Sequence, residues 1–515
     1  MTHPGRKRVL IVNAYFDELR RGARPFSVPT AMGPVQLAGA LHPDRCEIRL
    51  YNEQHSGPLN DPALLGWPDL LVLTGLTSSF DRMLQLTAYA RSQNPDVVVA
   101  AGGPAIRALP KLAASYVDYV CTGDVESLAD VASDAFGPSY AADVWHPRYD
   151  LATDLGRIGY VESSRYCNFH CSFCSLTAES RRYKPYSLDQ VRSQLEAVGK
   201  RHTLIFIDNN FYGNDRGFFV ERVKLLEDLV RGGRIRGWSA LVTNDFFLDD
   251  ENLRLVKRAG CQALFSGVES FDTAEVRRFR KLQNTRLPQV ELIRKCLDAG
   301  LTFFYGLIFD ASHRHVADMR HELELVMSMP EITLPTFATL TIPLPGTPYF
   351  RQCVDAELFL PNAKLRDLDG STLVLRPLDP IAGVTRFLRE LLRMSGWRSR
   401  AFRHASGVWW RYRRTLNRDQ MLGAVARDLQ LLMPSIFLAS GRARRQDVAG
   451  RTFVTTTETL DPQYTPAFRV ARQYESHFKP TMLTDNAGAL SETVAADLSI
   501  PRAPVHAIVS PALHL

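Results

Sequence analysis

Short apolar runs alternate with stretches of helical spacing in two successive series along the chain, and this alternation constrains the fold more than any other feature. In the first series, the candidate strands are Val9–Asn13, Glu47–Tyr51, Leu70–Gly75, Val97–Ala101 and Tyr119–Thr122. The candidate helices between them are Gly33–Leu41, Ser79–Arg91 and Pro104–Ala114. This βα rhythm predicts a doubly wound, parallel, Rossmann-like sheet that binds ligands at the carboxyl ends of its strands.

The second series begins near residue 157 and has six βα repeats. Its candidate strands are Arg157–Val161, Thr203–Asp208, Ser239–Val242, Ala263–Gly267, Phe303–Ile308 and Phe337–Ile342. Its candidate helices are Ser187–Gly199, Phe218–Arg231, Asp249–Ala259, Leu287–Ala299 and Arg314–Met327. Six repeats predict a partial (β/α)6 barrel, and the chemistry of such barrels is carried by loops at the carboxyl ends of the strands.

Three cysteines follow the first strand of this barrel at C-x3-C-x2-C spacing, namely Cys167, Cys171 and Cys174. Soft thiolates select zinc, copper(I) or iron–sulfur clusters. Three ligands on one loop suit a 4Fe–4S cluster that keeps one iron open to a group other than protein. A zinc loop with a distant fourth ligand and a chance arrangement are the alternatives, since a closed zinc site needs four ligands.

This motif resembles that of radical SAM enzymes, in which the open iron chelates the amino acid end of S-adenosylmethionine. The resemblance includes Phe173, the aromatic residue before the last cysteine, which in that family lies beside the cofactor. It implies that the three cysteines hold the cluster and serve the reaction. An electron from the cluster would then cleave S-adenosylmethionine and give a 5′-deoxyadenosyl radical.

Two other barrel loops carry polar residues at positions that this family uses for S-adenosylmethionine. The implied cofactor contacts are Asp208, Asn209, Asn210, Glu269 and Ser270. A buried carboxylate can accept hydrogen bonds from ribose hydroxyls or an ammonium group, and the G-x-E-S pattern around Glu269 matches the family. The alternatives are an Asp/Asn turn for the first loop and a helix cap for Glu269.

The helix after the G-x-E-S loop offers three cations, Arg277, Arg278 and Lys281, which could reach the cofactor carboxylate or could simply be exposed. The turn Pro343–Pro348 resembles the proline-glycine turn after the sixth strand of cobalamin-dependent members. We expect His313 and His315 to lie on the surface and not to bind metal.

Turn residues also gather at the predicted strand ends of the first domain. They are Thr74, Thr77 and Ser78 after the third strand, Gly102 and Gly103 after the fourth, and Gly123 and Glu126 after the fifth. Placed ahead of the cysteine loop, this set resembles the cobalamin-binding domain at the N-terminus of many radical SAM enzymes. No G-x-G-x-x-G follows the first strand, which disfavours a dinucleotide site.

One departure from the wider cobalamin-binding fold concerns the loop after the first strand. That fold often carries D-x-H-x-x-G there, and its histidine ligates cobalt. Residues 13–29 contain no histidine in this chain. If cobalamin binds, this loop therefore supplies no lower ligand, as is usual in radical SAM members. A domain that has lost the cofactor is the alternative.

The alternation stops near residue 360. Thr385–Met394 and Asp419–Met433 have helical spacing, and an arginine- and aromatic-rich segment lies between them. We interpret that segment as a solvated basic helix whose tryptophans pack on the barrel. The alternative is a cap that docks a lipid surface or binds an acidic or polycyclic substrate.

The predicted organisation is a cobalamin-binding-like domain (1–135), a linker (136–156), a barrel (157–358) and a mostly helical C-terminal cap with a weakly structured tail (359–515).

Composition limits the remaining classes of function. The 515 residues carry a net charge of only +7, without a recognisable binding motif, so nucleic acid is not an expected partner. Eight cysteines are too few for a disulfide scaffold in a chain of this length, which indicates a reducing, cytoplasmic compartment. No window approaches 18 consecutive apolar residues, so we expect no membrane span, although peripheral contact with a membrane stays open.

Together these features predict a cobalamin-dependent radical SAM enzyme. The usual chemistry of such chains is methyl transfer to an unactivated carbon, here of an apolar or polycyclic small molecule, with electrons from a flavodoxin- or ferredoxin-type donor. One alternative is oxidative ring closure, hydroxylation or rearrangement of a tetrapyrrole or another natural-product intermediate. Another is a cobalamin-binding sensor or scaffold without turnover.

Overall fold

The first βα series folds into a six-stranded sheet. In a computed structural model, the described residues are 5–16, 31–153, 155–393, 396–424, 454–455, 464–498 and 507–509. The strands of this sheet are β1 (Lys7–Ala14), β2 (Cys46–Asn52), β3 (Leu70–Gly75), β4 (Val98–Gly102), β5 (Tyr119–Cys121) and, from the C-terminus, β15 (Ala507–Val509). Their order is β2-β1-β3-β4-β5-β15. All neighbours are parallel except β15, which pairs antiparallel with β5.

This strand order indicates which edge of the sheet is suited to bind a ligand. It reverses between β1 and β3, and in doubly wound sheets ligands bind outside the carboxyl ends of the strands at such a reversal. The centre of β1, Val9 to Val12, is buried on both faces. Helices cover both faces, as a parallel sheet requires. They are Gly33–Ala38, Glu53–Ser56, Pro62–Leu65, Phe80–Gln93, Pro104–Ala108, Pro110–Ala114 and Ser127–Phe136.

One helix of this domain differs from the sequence prediction. Pro104–Ala114 was expected to form a single helix, but the structure divides it into Pro104–Ala108 and Pro110–Ala114. Pro110 lacks a backbone N–H and restricts Leu109, which leaves the helical conformation.

The second series forms an open barrel of six parallel steps. Its strands are β6 (Ile158–Val161), β9 (Thr203–Phe206), β10 (Gly237–Leu241), β11 (Cys261–Phe265), β12 (Thr302–Phe304), β13 (Gly306–Phe309) and β14 (Phe337–Leu340). The first five pair in the order β6-β9-β10-β11-β12, and β13 pairs with β14. Only Tyr305 separates β12 from β13, so these two strands form the fifth predicted step. The α/β fold class with a partial six-step barrel is confirmed.

The barrel helices are Leu188–Ala197, Arg216–Arg231, Asp250–Arg258, Thr273–Arg278, Gln289–Asp298, Val316–Ser328 and Pro348–Asp355. A further ladder of two residues on each side joins β7 (Ser164–Arg165) to β8 (Lys184–Pro185) and closes the base of the cysteine loop. Among the described residues, no helix combines the length and apolar character needed to cross a bilayer.

C-terminal residues pack against both of these units. The helices Ile381–Arg393 and Arg398–Tyr412 follow the barrel, and Glu492–Leu498 lies near the end of the chain. The predicted helix Asp419–Met433 continues beyond residue 424, outside the described residues. Residues 464–498 pack on the first domain, where the buried Asp81 accepts hydrogen bonds from the Tyr464 hydroxyl (2.5 Å) and the Thr481 N–H (3.2 Å).

The end of this segment also has defined contacts. The Asp497 carboxylate accepts from the backbone N–H groups of Lys111 (3.2 Å) and Leu112 (2.8 Å) at the start of a first-domain helix. The described part of the tail therefore differs from the weak structure expected from its sequence, because its polar residues find partners in a distant part of the chain.

Candidate functional site

The cysteine loop lies where β6 ends and is fixed by the backbone of two later barrel segments. The Ser172 N–H donates to the Phe279 carbonyl, and the Tyr349 N–H donates to the Ser172 carbonyl, both at 2.9 Å. Within the loop, the Thr177 hydroxyl donates to the Cys171 carbonyl at 2.8 Å. The loop is therefore held by residues more than a hundred positions away, which fixes the direction of its cysteines.

The three thiols lie in an environment that disfavours their free ionisation. Cys171 is buried, while Cys167 and Cys174 are half-buried. Burial raises the pKa of Cys167 to about 11 and also raises the pKa of Cys174. The Gln283 amide lies 3.6 Å from the Cys171 sulfur and donates to it. Because thiolates would be the ligands, a cluster held by Cys167, Cys171 and Cys174 would supply the positive charge that favours their ionised form.

This donor set fits a 4Fe–4S cluster better than a single zinc ion. Three soft sulfurs come from one loop, and three thiolates leave one iron open. Within the described residues, no group of three or more His, Cys, Asp or Glu side chains is arranged for one metal ion. Of the other cysteines, Cys46, Cys261, Cys296 and Cys353 are buried and Cys121 is half-buried.

Phe173, between the last two cysteines, is half-buried and packs edge-on against Phe279 with ring centroids 5.1 Å apart. Phe279 contacts Tyr349 in the same way at 6.2 Å. This aromatic column joins the cysteine loop to the helix after the G-x-E-S loop. A direct contact between Phe173 and S-adenosylmethionine stays a prediction.

Asp208, at the end of the second barrel step, is completely buried and has its partners within the protein. Its carboxylate accepts from the Ser163 N–H (3.0 Å), the Ser163 hydroxyl (2.7 Å) and the Ser164 hydroxyl (2.5 Å). Arg222 lies 3.6 Å away and also donates to the Ser163 hydroxyl. Asp208 thus orients the chain that enters the cysteine loop, and its predicted contact with the cofactor stays a prediction.

The two asparagines beside Asp208 face different ways. Asn210 is buried, and its amide donates to the Asn168 side-chain oxygen in the cysteine loop at 2.7 Å. The Thr243 N–H donates to the Asn210 side-chain oxygen at 3.3 Å. Asn209 is exposed. Asn210 therefore ties the cysteine loop to the second and third steps, while Asn209 keeps its amide open to a ligand.

Glu269 has the least common backbone geometry of the predicted site. Its φ is +63°, a left-handed value that non-glycine residues rarely adopt. Its backbone bridges to β13, accepting from the Ile308 N–H at 2.8 Å, and its carboxylate lies 2.5 Å from the Lys281 ammonium. A Cβ at Gly267 would lie 2.2 Å from this carboxylate, so a larger residue there would displace the Glu269 side chain. The backbone bridge to β13 and the ion pair with Lys281 together fix the position of the Glu269 carboxylate.

Lys281 is influenced by the charges of the cysteine loop. Burial lowers the pKa of Lys281, but the negative charge of Glu269, together with those that Cys171 and Cys174 carry when ionised, more than offsets this, and the pKa is raised. The other two cations predicted for the cofactor lie elsewhere. Arg277 is exposed, and Arg278 pairs with Asp310 at 2.6 Å. Of the three cations, Lys281 is the one that the structure brings to the cysteine loop.

Other predicted features of the barrel have local roles. The Ser270 hydroxyl donates to Glu322 at 2.7 Å inside the barrel wall. Thr347, in the proline-glycine turn, caps the helix Pro348–Asp355 by accepting from the Phe350 N–H at 3.1 Å. His313 lies 3.3 Å from Asp310 and His315 lies 3.0 Å from Asp379, each in a separate pair.

The predicted ligand edge of the first domain is narrow and rich in glycine. Gly103 has φ +113°, and a Cβ there would lie 2.8 Å from the Gly75 carbonyl. A Cβ at Gly75 would in turn lie 2.7 Å from the Ala14 carbonyl. Leu76 is 66% exposed beside them, although leucine is usually buried. Such an edge lets a large ligand approach the backbone, which fits cobalamin.

The other predicted residues of this edge lie at the carboxyl ends of β3 and β4 or on the loops that follow them. Thr77 is buried, while Thr74 and Ser78 are half-buried. Gly102 is the last residue of β4 and approaches the Cys121 side chain, with 3.4 Å from its ideal Cβ to that of Cys121. The residues after Phe16 up to 30, where the cobalt-ligating histidine is absent, lie outside the described residues.

The loop after β5 contacts the flanks of the cysteine loop. Glu126 pairs with Arg165 at 2.7 Å, just before the first cysteine. Asp124 pairs with Arg181 at 3.0 Å and accepts from the Tyr166 hydroxyl. We call these five residues the interdomain junction. Of these five residues, only Glu126 was predicted from the sequence, because the sequence does not show which distant residue a charged side chain will pair with.

A second contact supports the same arrangement. Arg107 pairs with Glu179 at 2.7 Å, after the last cysteine, and donates to the Gly123 carbonyl at 3.0 Å. The predicted cobalamin edge and the predicted cluster site therefore face each other across one ionic interface.

Comparisons with known proteins agree with this geometry. The family described as the radical SAM superfamily matches residues 161–323. An uncharacterized methyltransferase of Synechocystis sp. is 24% identical over 379 residues, which cover 68% of this chain and 68% of the relative. The hopanoid C-2 methylase of Rhodopseudomonas palustris is 24% identical over 301 residues, which cover 53% of this chain and 55% of the relative.

Two solved structures share the fold. One is the radical S-adenosylmethionine methyltransferase TsrM of Kitasatospora setae with cobalamin and a 4Fe–4S cluster bound, with TM-score 0.55, 14% identity, and coverage of 86% of this chain and 99% of that chain. The other is the cobalamin-dependent S-adenosylmethionine radical enzyme OxsB with aqua-cobalamin bound, with TM-score 0.57, 14% identity, and coverage of 86% and 83%.

Proposed function

We propose that this chain is a radical SAM enzyme with an N-terminal domain of the cobalamin-binding type, and that it transfers a methyl group to an unactivated carbon of a small molecule. The observation that carries this proposal is the interdomain junction. It turns the glycine-rich edge of the first domain toward the cysteine loop of the barrel. A methyl carrier and a radical source held on facing edges suit transfer to a substrate between them.

Cys167, Cys171 and Cys174 would hold the cluster, and Thr74 to Ser78 with Gly102 and Gly103 would border cobalamin. When both cofactors are bound, they supply reductive cleavage of S-adenosylmethionine and carriage of a methyl group. The protein contributes binding and orientation. Asp208 and Asn210 fix the cysteine loop, while Lys281 and Glu269 place opposite charges beside it.

S-adenosylmethionine carries an ammonium, a carboxylate and a ribose. We assign Glu269 and Asn209 as contacts for the ribose or the ammonium, and Lys281 as the partner of the carboxylate. Each assignment follows from a polar group that the fold brings to the carboxyl ends of the barrel strands.

The substrate class is an inference of a different kind. A hopanoid methylase among the relatives supports an apolar or polycyclic substrate for this chain. A one-electron reductant is also needed, for which we propose a flavodoxin- or ferredoxin-type protein in a reducing, cytoplasmic compartment.

Anaerobic reconstitution tests the proposal. We expect about four iron atoms and about one cobalt per chain, and dithionite-dependent release of 5′-deoxyadenosine from S-adenosylmethionine. Candidate apolar acceptors should gain one CH₂ unit. The Cys171→Ala variant should lose iron and all release of 5′-deoxyadenosine, while Cys353→Ala, at a buried thiol outside the loop, should keep both.

Other outcomes would replace the proposal. Iron without cobalt would remove methyl transfer through cobalamin and favour hydroxylation or ring closure. A product without the added CH₂ unit would favour the same chemistry. Both cofactors without 5′-deoxyadenosine release would indicate a sensor or scaffold.

A further inference from the structure

The helix Arg398–Tyr412 contacts the barrel with only one of its faces. Its buried side chains, with Trp397 just before it, are Ala401, His404, Ala405, Val408 and Tyr412. The Tyr412 hydroxyl donates to the Glu331 carbonyl at 2.6 Å, and His404 Nε2 lies 3.1 Å from the Met329 carbonyl oxygen. These contacts fix which side of the helix faces away from the protein.

Three large aromatic side chains lie on that outer side. Phe402 is 67% exposed, Trp409 is 42% exposed and Trp410 is 64% exposed. Positions separated by seven and eight residues fall on the same side of an α-helix. The sequence interpretation placed the tryptophans against the barrel. Trp397 packs there, but Trp409 and Trp410 do not. Three exposed aromatic side chains on one side of a helix indicate an interaction surface.

The surroundings of these aromatics are strongly cationic. No acidic residue lies between Gly396 and Arg418, a stretch that contains Arg398, Arg400, Arg403, Arg411, Arg413, Arg414 and Arg418. Arg400 pairs with Glu324, and the Arg413 guanidinium stacks over Trp410 at 4.1 Å. Within the described residues, Arg398, Arg403 and Arg414 form no ion pair, so their charges are available to a partner.

We propose that this outer face, formed by Phe402, Trp409, Trp410 and the arginines beside them, docks the protein on an anionic lipid bilayer. Tryptophan and phenylalanine favour the boundary between headgroups and acyl chains. Arginines bind lipid phosphates and are attracted by anionic headgroups. Tryptophan and arginine are also common in protein interfaces, but a stretch of seven arginines without an acidic residue matches the extended negative charge of a lipid surface. The proposal is independent of the reaction.

Co-sedimentation of the full chain with lipid vesicles tests this surface. We expect binding to vesicles of phosphatidylcholine with phosphatidylglycerol, weak binding to phosphatidylcholine alone, and weaker binding at high salt. Trp409→Ser/Trp410→Ser and Arg398→Glu/Arg403→Glu should each lower the partition coefficient at least about tenfold. The control is Arg234→Glu/Arg236→Glu, which changes the net charge equally at two exposed arginines of the barrel and should bind like the wild type.

Three results would overturn the proposal. The wild type could remain in the supernatant with anionic vesicles. All variants could sediment equally. Alternatively, sedimentation equilibrium could show a dimer that only the tryptophan variant dissociates, which would assign the face to a second copy. Unchanged thermal unfolding of each variant shows that lost binding is not lost folding, and iron content is recorded so that failure of the enzyme proposal is seen separately.

Discussion

Glu269 illustrates how a single residue of this protein carries several constraints. It adopts a left-handed backbone, bridges two barrel strands and keeps its carboxylate in a buried pair with Lys281. A left-handed non-glycine residue costs roughly 1–3 kcal/mol and persists where its surroundings determine it. Such strain gathers at functional sites, which agrees with the role proposed for this carboxylate.

Removing one member of this pair should destabilise the protein strongly. Lys281→Met leaves the Glu269 carboxylate buried beside the cysteines without a counter-charge, and we expect a loss of about 3–5 kcal/mol. The double variant Glu269→Gln/Lys281→Met should recover much of that loss because no unpaired charge remains. Urea unfolding of the iron-free protein measures both. Arg254→Met, in the exposed pair with Glu251, is the control and should have no measurable effect.

At the scale of elements, the segment 464–498 packs against the helix Phe80–Gln93 through aromatic side chains. Tyr89 stacks on Phe468 at 4.4 Å and meets Phe478 at 5.2 Å. The neighbouring His477 is buried against Tyr116, with ring centroids 5.0 Å apart, and its Nε2 has no hydrogen-bond partner. A histidine that is buried without an acceptor is favoured in its neutral form.

This histidine predicts sensitivity to acid. Burial, with the nearby charge of Arg91, lowers the pKa of His477 from 6.5 to about 4. The unfolded chain therefore binds a proton that the folded chain rejects, and stability falls as pH drops from about 6.5 to 4. We expect a loss of about 2 kcal/mol from this group.

Urea unfolding at pH 7 and pH 4.5 measures the effect. His477→Phe should lose less stability on acidification than the wild type, whereas His321→Gln, at an exposed histidine of the helix Val316–Ser328, should behave like the wild type. Equal losses in all three proteins would exclude His477 as the source.

For the whole molecule, charges join the two α/β units. The interdomain junction connects residues about forty to sixty positions apart, and β15 adds the C-terminal residues Ala507–Val509 to the edge of the first sheet. The ion pairs of the interdomain junction restrict how far the ligand edge of the first domain and the cysteine loop can move apart.

A double-mutant cycle tests this link. Glu126→Gln and Arg165→Gln should each destabilise the protein, and the double variant should lose less than their sum, with a coupling energy of about 1 kcal/mol. Glu47→Gln with Arg49→Gln, an exposed pair within the first domain, should show little coupling. If the junction pair shows no coupling either, the interface is held by packing and not by these charges.

The sequence determined the cysteine loop and the two βα series, because the spacing of thiols and the alternation of apolar runs are local properties. It also placed Gly102, Gly103 and Glu269 at strand ends, where loops of α/β folds carry function. The radical SAM superfamily model matches residues 161–323, inside the barrel predicted from these patterns, and the predicted fold class is confirmed.

Only the tertiary structure decided how the side chains are used. Asp208 and Ser270 have protein partners, Arg278 pairs with Asp310, and Lys281 pairs with Glu269. Trp409 and Trp410 face outward although their sequence is compatible with packing. Partners of this kind are brought together by chain topology across tens or hundreds of residues, and no local pattern encodes such distances.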